Sequence, residues 1–524
     1  MFMKYNIKSL FFLALFILAI FCGIKIIFPI WIQNNYSYNS FSLNIVHTND
    51  LHSHLLPFDN YHDCELDSEC LGGFARIISF LKNQKSNHTL IIDAGDRFTG
   101  TSFYALTKSK FLLPLFQKMP YDVITLGNHE FDDNLPETVS FLKQWHVPVV
   151  VANLKIKDSE DLSALVKPSV IVEKEHHKIG IIGLLTPETV IIDNPNISIL
   201  PFSEVMTKEI EQLKKQGINI IILVSHIGLD ADKKLAAQFP EIDLIVGGHS
   251  HSLLNNGPTS LSADGPYPIV MNQGKTLIVS SGMGGRFVGN LKLIFDTEGT
   301  IIGYNGNTIP MNSNITSDPQ IVSFIKNAQE ELHSLLNENI TFLPNSYGFT
   351  PQKNYCSENC PVGMFLAQTL HANYPEIDGV FLNSGSIRRG LPFGSIIWGD
   401  IIDSYPFDND AVLVHLTGKE LENFLEHGLK NYHMNGKTNE MLQTSGIQYH
   451  FSKDKKKIKS VTIKEKSVDL EKTYTFLTSS FLAQGGDGYP PHKYQKTGKT
   501  IREILKTQMQ KNTPLQIKNN IYAE

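Results

Sequence analysis

Five short apolar segments in the first half of the chain are each followed directly by polar residues of the kind that bind metals. The segments are 43–46, 90–92, 123–126, 220–224 and 244–246. Apolar runs of this length that end at turn residues predict buried β-strands. In open α/β sheets, ligands bind outside the carboxyl ends of the strands. The recurrence of the pattern therefore predicts ligand-binding groups at the carboxyl ends of these strands.

The polar residues after these segments are carboxylates, imidazoles and one amide, with no thiolate. They are Asp50 and His52, then Asp96, then Asn128, His129 and Asp132, then His226, and finally His249 and His251. Such a set suits hard or borderline divalent metals. A histidine with a carboxylate three residues later is an acid–base group with its own orienting partner. Taken alone, residues 128–132 would also fit a capped loop with a surface histidine. The similar residues after the four other strands favour a functional site.

The ordered motifs resemble the calcineurin-like metallophosphoesterases, and residues 47–52 and 127–132 resemble the 5′-nucleotidase branch of that superfamily. The resemblance implies two divalent metal ions, of zinc, manganese, magnesium or cobalt. By position it assigns Asp50, His52 and His251 to one metal, Asn128, His226 and His249 to the other, and Asp96 to both. It implies that His129, oriented by Asp132, assists departure of the leaving group.

The N-terminal segment 1–32 is unlike the rest of the chain. It has a basic start with Lys4 and Lys8, then a long apolar run, and a polar linker follows at 33–40. A charged start before an apolar stretch is typical of a secretory signal, and burial through Ile32 would also be long enough to span a membrane. A buried core helix is the alternative. We expect an exported protein (periplasmic, secreted or cell-surface), and membrane association through this segment stays open.

Four cysteines follow this segment, in two close pairs. An even number in an oxidising compartment suggests two short-loop disulfides. A four-cysteine metal site is the alternative, although the pairs lie in different predicted domains. The family resemblance implies bridges between Cys64 and Cys70 and between Cys356 and Cys360, because vertebrate members have similar local pairs.

Strands and helical patterns alternate from 41 to 310, which predicts sheets covered by helices. The resemblance implies that 41–310 is a four-layer α/β/β/α metallophosphoesterase domain. Since strands 277–280 and 287–295 follow each other closely, we expect the second sheet to be antiparallel in part. An apolar stripe in 311–340 predicts a single amphipathic helix that connects two domains, and the resemblance implies that it lies at a hinge. A second α/β pattern begins at 341 and runs to 524, and the resemblance identifies it as the C-terminal substrate-binding domain.

Three segments of the second half resemble substrate-binding segments of the family. They assign Asn383, Arg388, Phe407, Asn409, Phe481 and Asp487 to the substrate. In relatives two phenylalanines enclose the base and an aspartate accepts from the ribose hydroxyls. An aromatic pair and a carboxylate suit a base face and a vicinal diol. For a lone phenylalanine core packing is the better explanation, but the ordered polar neighbours favour binding.

One departure concerns phosphate binding. Relatives usually carry an arginine near the second cysteine pair, whereas residues 356–360 here contain none. Arg389, which directly follows Arg388, is the candidate to compensate, although successive side chains need not face the same way.

We therefore expect an exported phosphohydrolase that cleaves nucleoside 5′-monophosphates to nucleoside and phosphate with a metal-activated water. Nucleotide-sugar or dinucleotide pyrophosphatase and 2′,3′-cyclic nucleotide phosphodiesterase activities are alternatives within the same chemistry. From another class, a non-catalytic nucleotide-binding surface protein is disfavoured because all seven ligand positions are present. The net charge of −6 gives no basic surface for nucleic acid.

Overall fold

The computed structural model describes residues 40–133, 135–157, 160–187, 189, 197–259, 261–349, 356–430, 440–454, 456–511 and 519–523. The predicted signal or anchor at 1–32, and all but the last residue of the linker 33–40, lie outside the described residues. In the part of the chain that is described, no helix has both the length and the apolar character needed to cross a membrane.

The first half alternates strands and helices. In chain order the elements are β1 Phe41–Thr48, β2 Pro57–Phe58, β3 Leu71–Gly72, α1 Phe74–Gln84, β4 Thr89–Asp93, α2 Ser102–Thr107, α3 Leu112–Phe116, β5 Val123–Ile124, α4 Leu135–Trp145, β6 Val149–Val150, β7 Leu154–Ile156, α5 Glu160–Leu165, β8 Val166–Lys167, β9 Ser169–Lys174, β10 His177–Leu185, β11 Ile197–Ile199, α6 Phe202–Lys215, β12 Ile220–His226, α7 Leu229–Gln238, β13 Leu244–Gly247, β14 Ile269–Met271, β15 Thr276–Val279, β16 Phe287–Phe295 and β17 Ile301–Pro310. Single 3₁₀ turns span Asn128–Phe131 and Asn272–Gly274.

Two large sheets form this half. The seven-stranded sheet has the order β17-β16-β1-β4-β5-β6-β8, and the strands from β1 to β8 in that order are parallel. The six-stranded sheet has the order β14-β15-β13-β12-β10-β9, with parallel pairing from β15 to β10. Parallel strands end on the same side of a sheet, so each sheet has one edge of carboxyl ends.

Alternate residues of the strands face opposite sides, which makes four layers. Ile45 and Ile92 belong to the core shared with the six-stranded sheet, whose outer face is covered by α6 and α7. Val46 and Ile91 belong to a second core beneath α1, α3 and α4. Because side chains in a strand point alternately to its two faces, this division produces the α/β/β/α sandwich that the resemblance implies.

The six-stranded sheet is antiparallel in part, but through other strands than expected. Its antiparallel edges are β9 and β14. β16 leaves this sheet and pairs antiparallel with β1 of the seven-stranded sheet. The connection between β15 and β16 includes Gly285, at φ 64, where a Cβ atom would lie 2.3 Å from Cδ1 of Ile77. Glycine therefore allows the chain to cross closely against α1.

A single long helix, α8 Pro319–Leu336, follows the first half. Asp318 caps it by accepting the backbone N–H groups of Gln320 and Ile321, and proline occupies its first turn. Its apolar stripe, with Ile321 and Ile325 among its members, packs into the core of the first half. The helix thus lies within the expected segment 311–340.

The second half has its own sheets and cores. Its elements are β18 Asn339–Leu343, α9 Pro361–Asn373, β19 Gly379–Asn383, β20 Gly394–Ile397, α10 Trp398–Ser404, β21 Asp410–Thr417, α11 Gly418–Gly428, β22 Leu442–Ser445, β23 Ile447–Ser452, β24 Lys457–Ile463, β25 Lys466–Ser467, β26 Thr473–Ser479, α12 Ser480–Ala483, β27 Tyr494–Thr500, α13 Ile501–Met509 and β28 Ile521–Ala523. The mixed sheet β22-β19-β26-β21-β27 carries α9 and α13 on one face and α11 on the other. The described residues include the disulfides Cys64–Cys70 and Cys356–Cys360, which are the pairings that the resemblance implies.

Candidate active site

The polar residues at the five strand ends meet in two groups. The ligand atoms of Asp50, His52, Asp96 and His251 all lie within 4.8 Å of one another, and those of Asp96, His226 and His249 form a second such group. Asp96 belongs to both. The amide oxygen of Asn128 lies 3.0 Å from Nδ1 of His249, beside the second group. All seven residues that the resemblance assigned to metals are therefore in one place.

The backbone at these strand ends turns sharply. Asp50, His52, Asp96, His249 and His251 all have positive φ, between 47° and 73°. Such angles are uncommon for residues other than glycine and cluster at functional sites. The turns at these residues keep their side chains beside the carboxyl ends of the strands.

Hydrogen bonds to the backbone set the tautomers of two buried histidines. Nδ1 of His52 lies 2.8 Å from the carbonyl oxygen of Thr99, and Nδ1 of His226 lies 2.6 Å from that of Ala94. In each ring Nδ1–H therefore donates to a carbonyl, which leaves the Nε2 lone pair directed at the cluster. Metal-ligating histidines are usually held in this way.

The inward-facing atoms have the contacts expected of metal ligands rather than of a hydrogen-bonded core. Nε2 of His52 lies 2.9 Å from Nε2 of His251. Nε2 of His226 lies 3.1 Å from Oδ2 of Asp96, yet it has no hydrogen-bond partner among the described residues. Buried polar atoms seldom remain unsatisfied, and a divalent cation would satisfy these. The residues present thus fit the divalent metals that the family implies.

Burial and close charges also favour a cation here. Burial raises the pKa of Asp50 to about 6. For His226, burial lowers the pKa, but the neighbouring carboxylate of Asp96 more than offsets this and raises it to about 10. Without a metal ion, Asp96 thus favours a second proton on His226, at Nε2. Metal binding would displace that proton, since ligating histidines must be neutral.

His129 lies at the edge of the cluster, facing open space. Its Nδ1 is 2.7 Å from Oδ2 of Asp132, and its backbone N–H donates to Oδ1 of Asp96 over 3.0 Å. Its Nε2 is 3.9 Å from Asp96 but only 2.8 Å from Nη2 of Arg388 in the second half. Burial lowers the pKa of His129, yet the carboxylates of Asp132 and Asp96 outweigh burial, so the net shift is upward.

Glu130 supports the cluster from below, a role that sequence reasoning did not assign to it. Its buried carboxylate accepts the backbone N–H groups of Gly127 and Arg97, each over 2.6 Å, and that of Asp96 over 3.1 Å. The guanidinium of Arg97 pairs with Glu130 at 3.3 Å and also contacts Asp93. Glu130 therefore joins the Asp96 loop to the Asn128 turn. Its place in the G-N-H-E segment was the available signal.

Both halves of the chain line one cavity of about 500 Å³ at this edge. From the first half it is lined by Asp96, Asn128, His129, Asp132, His249 and His251. From the second half it is lined by all six residues assigned to substrate, namely Asn383, Arg388, Phe407, Asn409, Phe481 and Asp487. Asp50, His52 and His226 are fully buried beneath it.

The residues of the second half are held in place around this cavity. The amide of Asn383 donates to Oδ2 of Asp487 over 2.7 Å. The guanidinium carbon of Arg388 lies 5.3 Å from the ring centroid of Phe407, which is itself 5.5 Å from the ring of His129. Phe481 packs so close to Gly486 that a Cβ there would lie 2.5 Å from its ring.

Several residues that line the cavity carried no sequence signal. In the first half the hydroxyl of Tyr104 donates to Asp133 over 2.6 Å, and Lys108 contacts the same carboxylate. In the second half Lys496 pairs with Asp410 at 2.6 Å. Tyr104 lies within the short helix α2 and Lys496 within β27, and no local pattern marks either residue as part of a site.

Arg389 does not take the position of the family's missing arginine. Of the described residues, those that line the cavity do not include it. Its side chain is 4% exposed and points the opposite way, to Asp63 at 2.6 Å and Asp403 at 2.7 Å.

Comparisons with known proteins agree with this geometry. The family model for calcineurin-like phosphoesterases matches residues 43–253, and that for the 5′-nucleotidase C-terminal domain matches 340–494. An apyrase from Tabanus yao is 32% identical over 516 residues, which cover 91% of this chain and 92% of the relative. A snake venom 5′-nucleotidase from Gloydius brevicauda is 30% identical, covering 86% of this chain and 82% of the relative.

Among solved structures, the 5′-nucleotidase precursor from Thermus thermophilus aligns with a TM-score of 0.81 and 28% identity, over 92% of this chain and 99% of that one. Both halves are thus matched in order and nearly at full length. The chain belongs to the 5′-nucleotidase family of calcineurin-like metallophosphoesterases and is a hydrolase that acts on phosphoric esters.

Proposed function

We propose that this hydrolase cleaves nucleoside 5′-monophosphates to nucleoside and phosphate. The observation that carries the proposal is the single cavity, which has the ligand cluster at one end and aromatic and carboxylate residues of the second half around the rest. Its volume of about 500 Å³ lies in the range of small-molecule pockets. The anionic phosphate of a nucleotide suits the ligand cluster, and its flat base and ribose diol suit the aromatic and carboxylate residues.

Two divalent metal ions are proposed at the phosphate end. Asp50, His52 and His251 would hold one, Asn128, His226 and His249 the other, and Asp96 both. The donor set of carboxylate, imidazole and amide suits zinc, manganese, magnesium or cobalt. When bound, such ions supply Lewis-acid activation of water and of the phosphoryl group.

His129, Asp132 and Arg388 are proposed to act on the phosphate and its leaving oxygen. Asp132 holds Nδ1 of His129 at 2.7 Å, so proton exchange with the departing 5′ oxygen would occur at Nε2. Arg388 presents only donors, which suit phosphoryl oxygens. Nη2 of Arg388 lies 2.8 Å from Nε2, so a phosphate ester that contacts both side chains would replace this hydrogen bond.

The nucleoside end is proposed to be formed by Phe407, Phe481, Asn409 and Asp487. Aromatic faces stack on any base, and the Asp487 carboxylate, fixed by Asn383, accepts from the ribose hydroxyls. We also propose that 311–340 is the hinge between a metal domain, 41–310, and a substrate domain, 341–524. That division is supported by the cavity, which both halves line.

We propose that the protein is exported. Both disulfides of the described chain are of the kind that persists in oxidising compartments. One relative is, by its name, a venom protein.

The test is a phosphate-release panel over mono- and diphosphates, cyclic nucleotides and nucleotide sugars, with and without a chelator. The monophosphates are expected to have the highest kcat/KM, and the chelator to abolish turnover of every substrate. Phosphodiesterase or pyrophosphatase products in excess of monophosphate hydrolysis would replace the assignment with one of those activities. Tight nucleotide binding without turnover at any metal tested would instead identify a binding protein.

A further inference from the structure

Two successive arginines of the second half serve different partners. Arg388 reaches His129 in the cavity, whereas Arg389 is directed away from it and pairs with Asp63 at 2.6 Å and Asp403 at 2.7 Å. Both residues lie in the irregular segment that follows the 3₁₀ turn Ser384–Ser386, and their side chains leave it in different directions. The backbone that presents Arg389 to its carboxylates therefore also presents Arg388 to His129.

The contacts of Arg389 join the two halves of the chain. Asp63 belongs to the first half and directly precedes Cys64, where the loop closed by the Cys64–Cys70 disulfide begins. Asp403 lies in α10 of the second half, and its other oxygen accepts the backbone N–H of Ser102 from the first half over 2.7 Å. One guanidinium thus links a carboxylate of each half.

Backbone hydrogen bonds hold the same short segment on both sides of Arg389. The N–H of Arg388 donates to the carbonyl of Ser404 over 2.9 Å, and the Ser404 hydroxyl donates to the carbonyl of Arg389 over 2.9 Å. The N–H of Gly390 donates across the halves to the carbonyl of Asn60, also over 2.9 Å. A shift of Arg389 relative to the first half would therefore carry Arg388 with it.

We infer that Arg389 is a positioning residue, whose paired contacts with Asp63 and Asp403 set the place of Arg388 opposite His129 and so complete the active site. The inference rests on the proposed role of Arg388 and His129 in ester cleavage. Arg389 and Asp403 are buried, with 4% and 9% exposure. Removal of the guanidinium leaves two nearby carboxylates without their cation, which is strongly unfavourable at a buried site.

The matched contrast is Lys110, which pairs with Glu331 of α8. Both of those side chains are more than half exposed, at 57% and 54%. Exposed ion pairs contribute little. Lys110→Met should accordingly leave kcat/KM unchanged. It is the control for removing a positively charged side chain that pairs with a carboxylate of another element.

The experiment is a double-mutant cycle in the full-length enzyme, with kcat and KM measured for AMP and for p-nitrophenyl phosphate. Arg389→Met is expected to lower kcat/KM by about ten- to a hundredfold, the size of loss that a displacement of about 1 Å produces. In an Arg388→Met background the same change should add less than about twofold, because Arg389 acts through Arg388. Arg389→Lys should restore part of the loss.

Equal losses in both backgrounds, or no loss in the wild-type background, would overturn the inference. Should Arg389→Met not fold, as judged by circular dichroism, Asp63→Asn goes through the same cycle with the same expected result. If the wild-type enzyme hydrolyses p-nitrophenyl phosphate but no nucleotide, the proposed nucleotidase activity is wrong. The positioning role of Arg389 can then still be measured with p-nitrophenyl phosphate.

Discussion

Nη2 of Arg388 lies 2.8 Å from Nε2 of His129, although 259 positions separate the two residues in the sequence. Arginine donates hydrogen bonds and accepts none, so Nε2 accepts here and Nδ1–H is donated to Asp132. Nε2 is thus covered by Arg388, while the carboxylates of Asp132 and Asp96 raise the pKa of the ring. A substrate phosphate that separates the two side chains would accept from Arg388, and it would accept from Nε2 of His129 once that nitrogen is protonated.

The first prediction separates metal binding from proton transfer. Asp96→Asn, which removes the carboxylate common to both ligand groups, should abolish turnover and reduce bound metal measured by elemental analysis. His129→Ala should keep its metal and lose about 10²- to 10⁴-fold in kcat, the usual contribution of an acid–base group. Loss of metal in the His129 variant would show that the division of roles is wrong.

The second prediction concerns Glu130. Glu130→Gln keeps the shape but removes the charge that pairs with Arg97 and accepts from the Asp96 loop. Substitutions behind metal ligands typically cost about 10- to 100-fold in metal affinity or activity. We expect a loss of that size in metal affinity, titrated with a competing chelator. Glu173→Gln, on the exposed strand β9, is the control, and an equal effect there would refute the role.

The third prediction tests the aromatic residues. Stacking of one base on an aromatic ring contributes about 1–3 kcal/mol in nucleic-acid binders, so Phe481→Ala should lower kcat/KM for AMP roughly ten- to a hundredfold. p-Nitrophenyl phosphate needs only the phosphate end and should be nearly unaffected. Phe407→Ala should affect AMP similarly and the small ester mildly, because this ring also contacts Arg388. Equal losses of kcat/KM on both substrates in the Phe481 variant would mean that the ring contributes only to packing of the protein and does not bind the base.

The fourth prediction concerns sugar recognition by Asp487. A hydrogen bond to a charged group contributes about 1.5–3 kcal/mol, so Asp487→Asn should lower kcat/KM for AMP by roughly tenfold or more. On 2′,3′-dideoxy-AMP, which lacks the diol, the variant and the wild type should be alike. If kcat/KM of the variant falls equally for both nucleotides, Asp487 stabilises its own loop and does not bind the ribose.

The fifth prediction is a pH dependence of stability away from the site. Burial raises the pKa of Asp243 to about 7, although its carboxylate accepts the N–H of Ile221 over 2.8 Å. An acid whose pKa is raised by folding costs no stability at low pH, and its cost grows as the pH rises from its unfolded value to about 7. Asp243→Asn should therefore raise Tm more at pH 8 than at pH 5.

Thermal unfolding by circular dichroism at the two pH values measures this difference. Asp230→Asn serves as the control, because its side chain is 49% exposed. A Tm shift for Asp243→Asn that does not change between pH 5 and pH 8 would show that its carboxyl titrates alike in the folded and unfolded chains.

The sequence by itself determined the parts of this protein that depend on neighbours along the chain. Apolar runs predict the strands, the polar residues directly after them predict the ligands, and the stripe in 311–340 predicts α8. Within each sheet the ligands lie at one edge because parallel strands end on the same side, and the grouping of Asp96 with His226 and His249 followed from the resemblance of the motifs to the family.

Tertiary structure alone decided what depends on contacts between distant segments. β16 follows β15 closely yet pairs with β1, because the glycine crossing at Gly285 lets it join the other sheet. Arg389 shares a backbone with Arg388 but faces Asp63 and Asp403, and nothing within the segment identifies these carboxylates as its partners. Where the two halves of the chain meet, the direction of a side chain depends on how the two surfaces pack. The spacing of residues within one half does not contain that information.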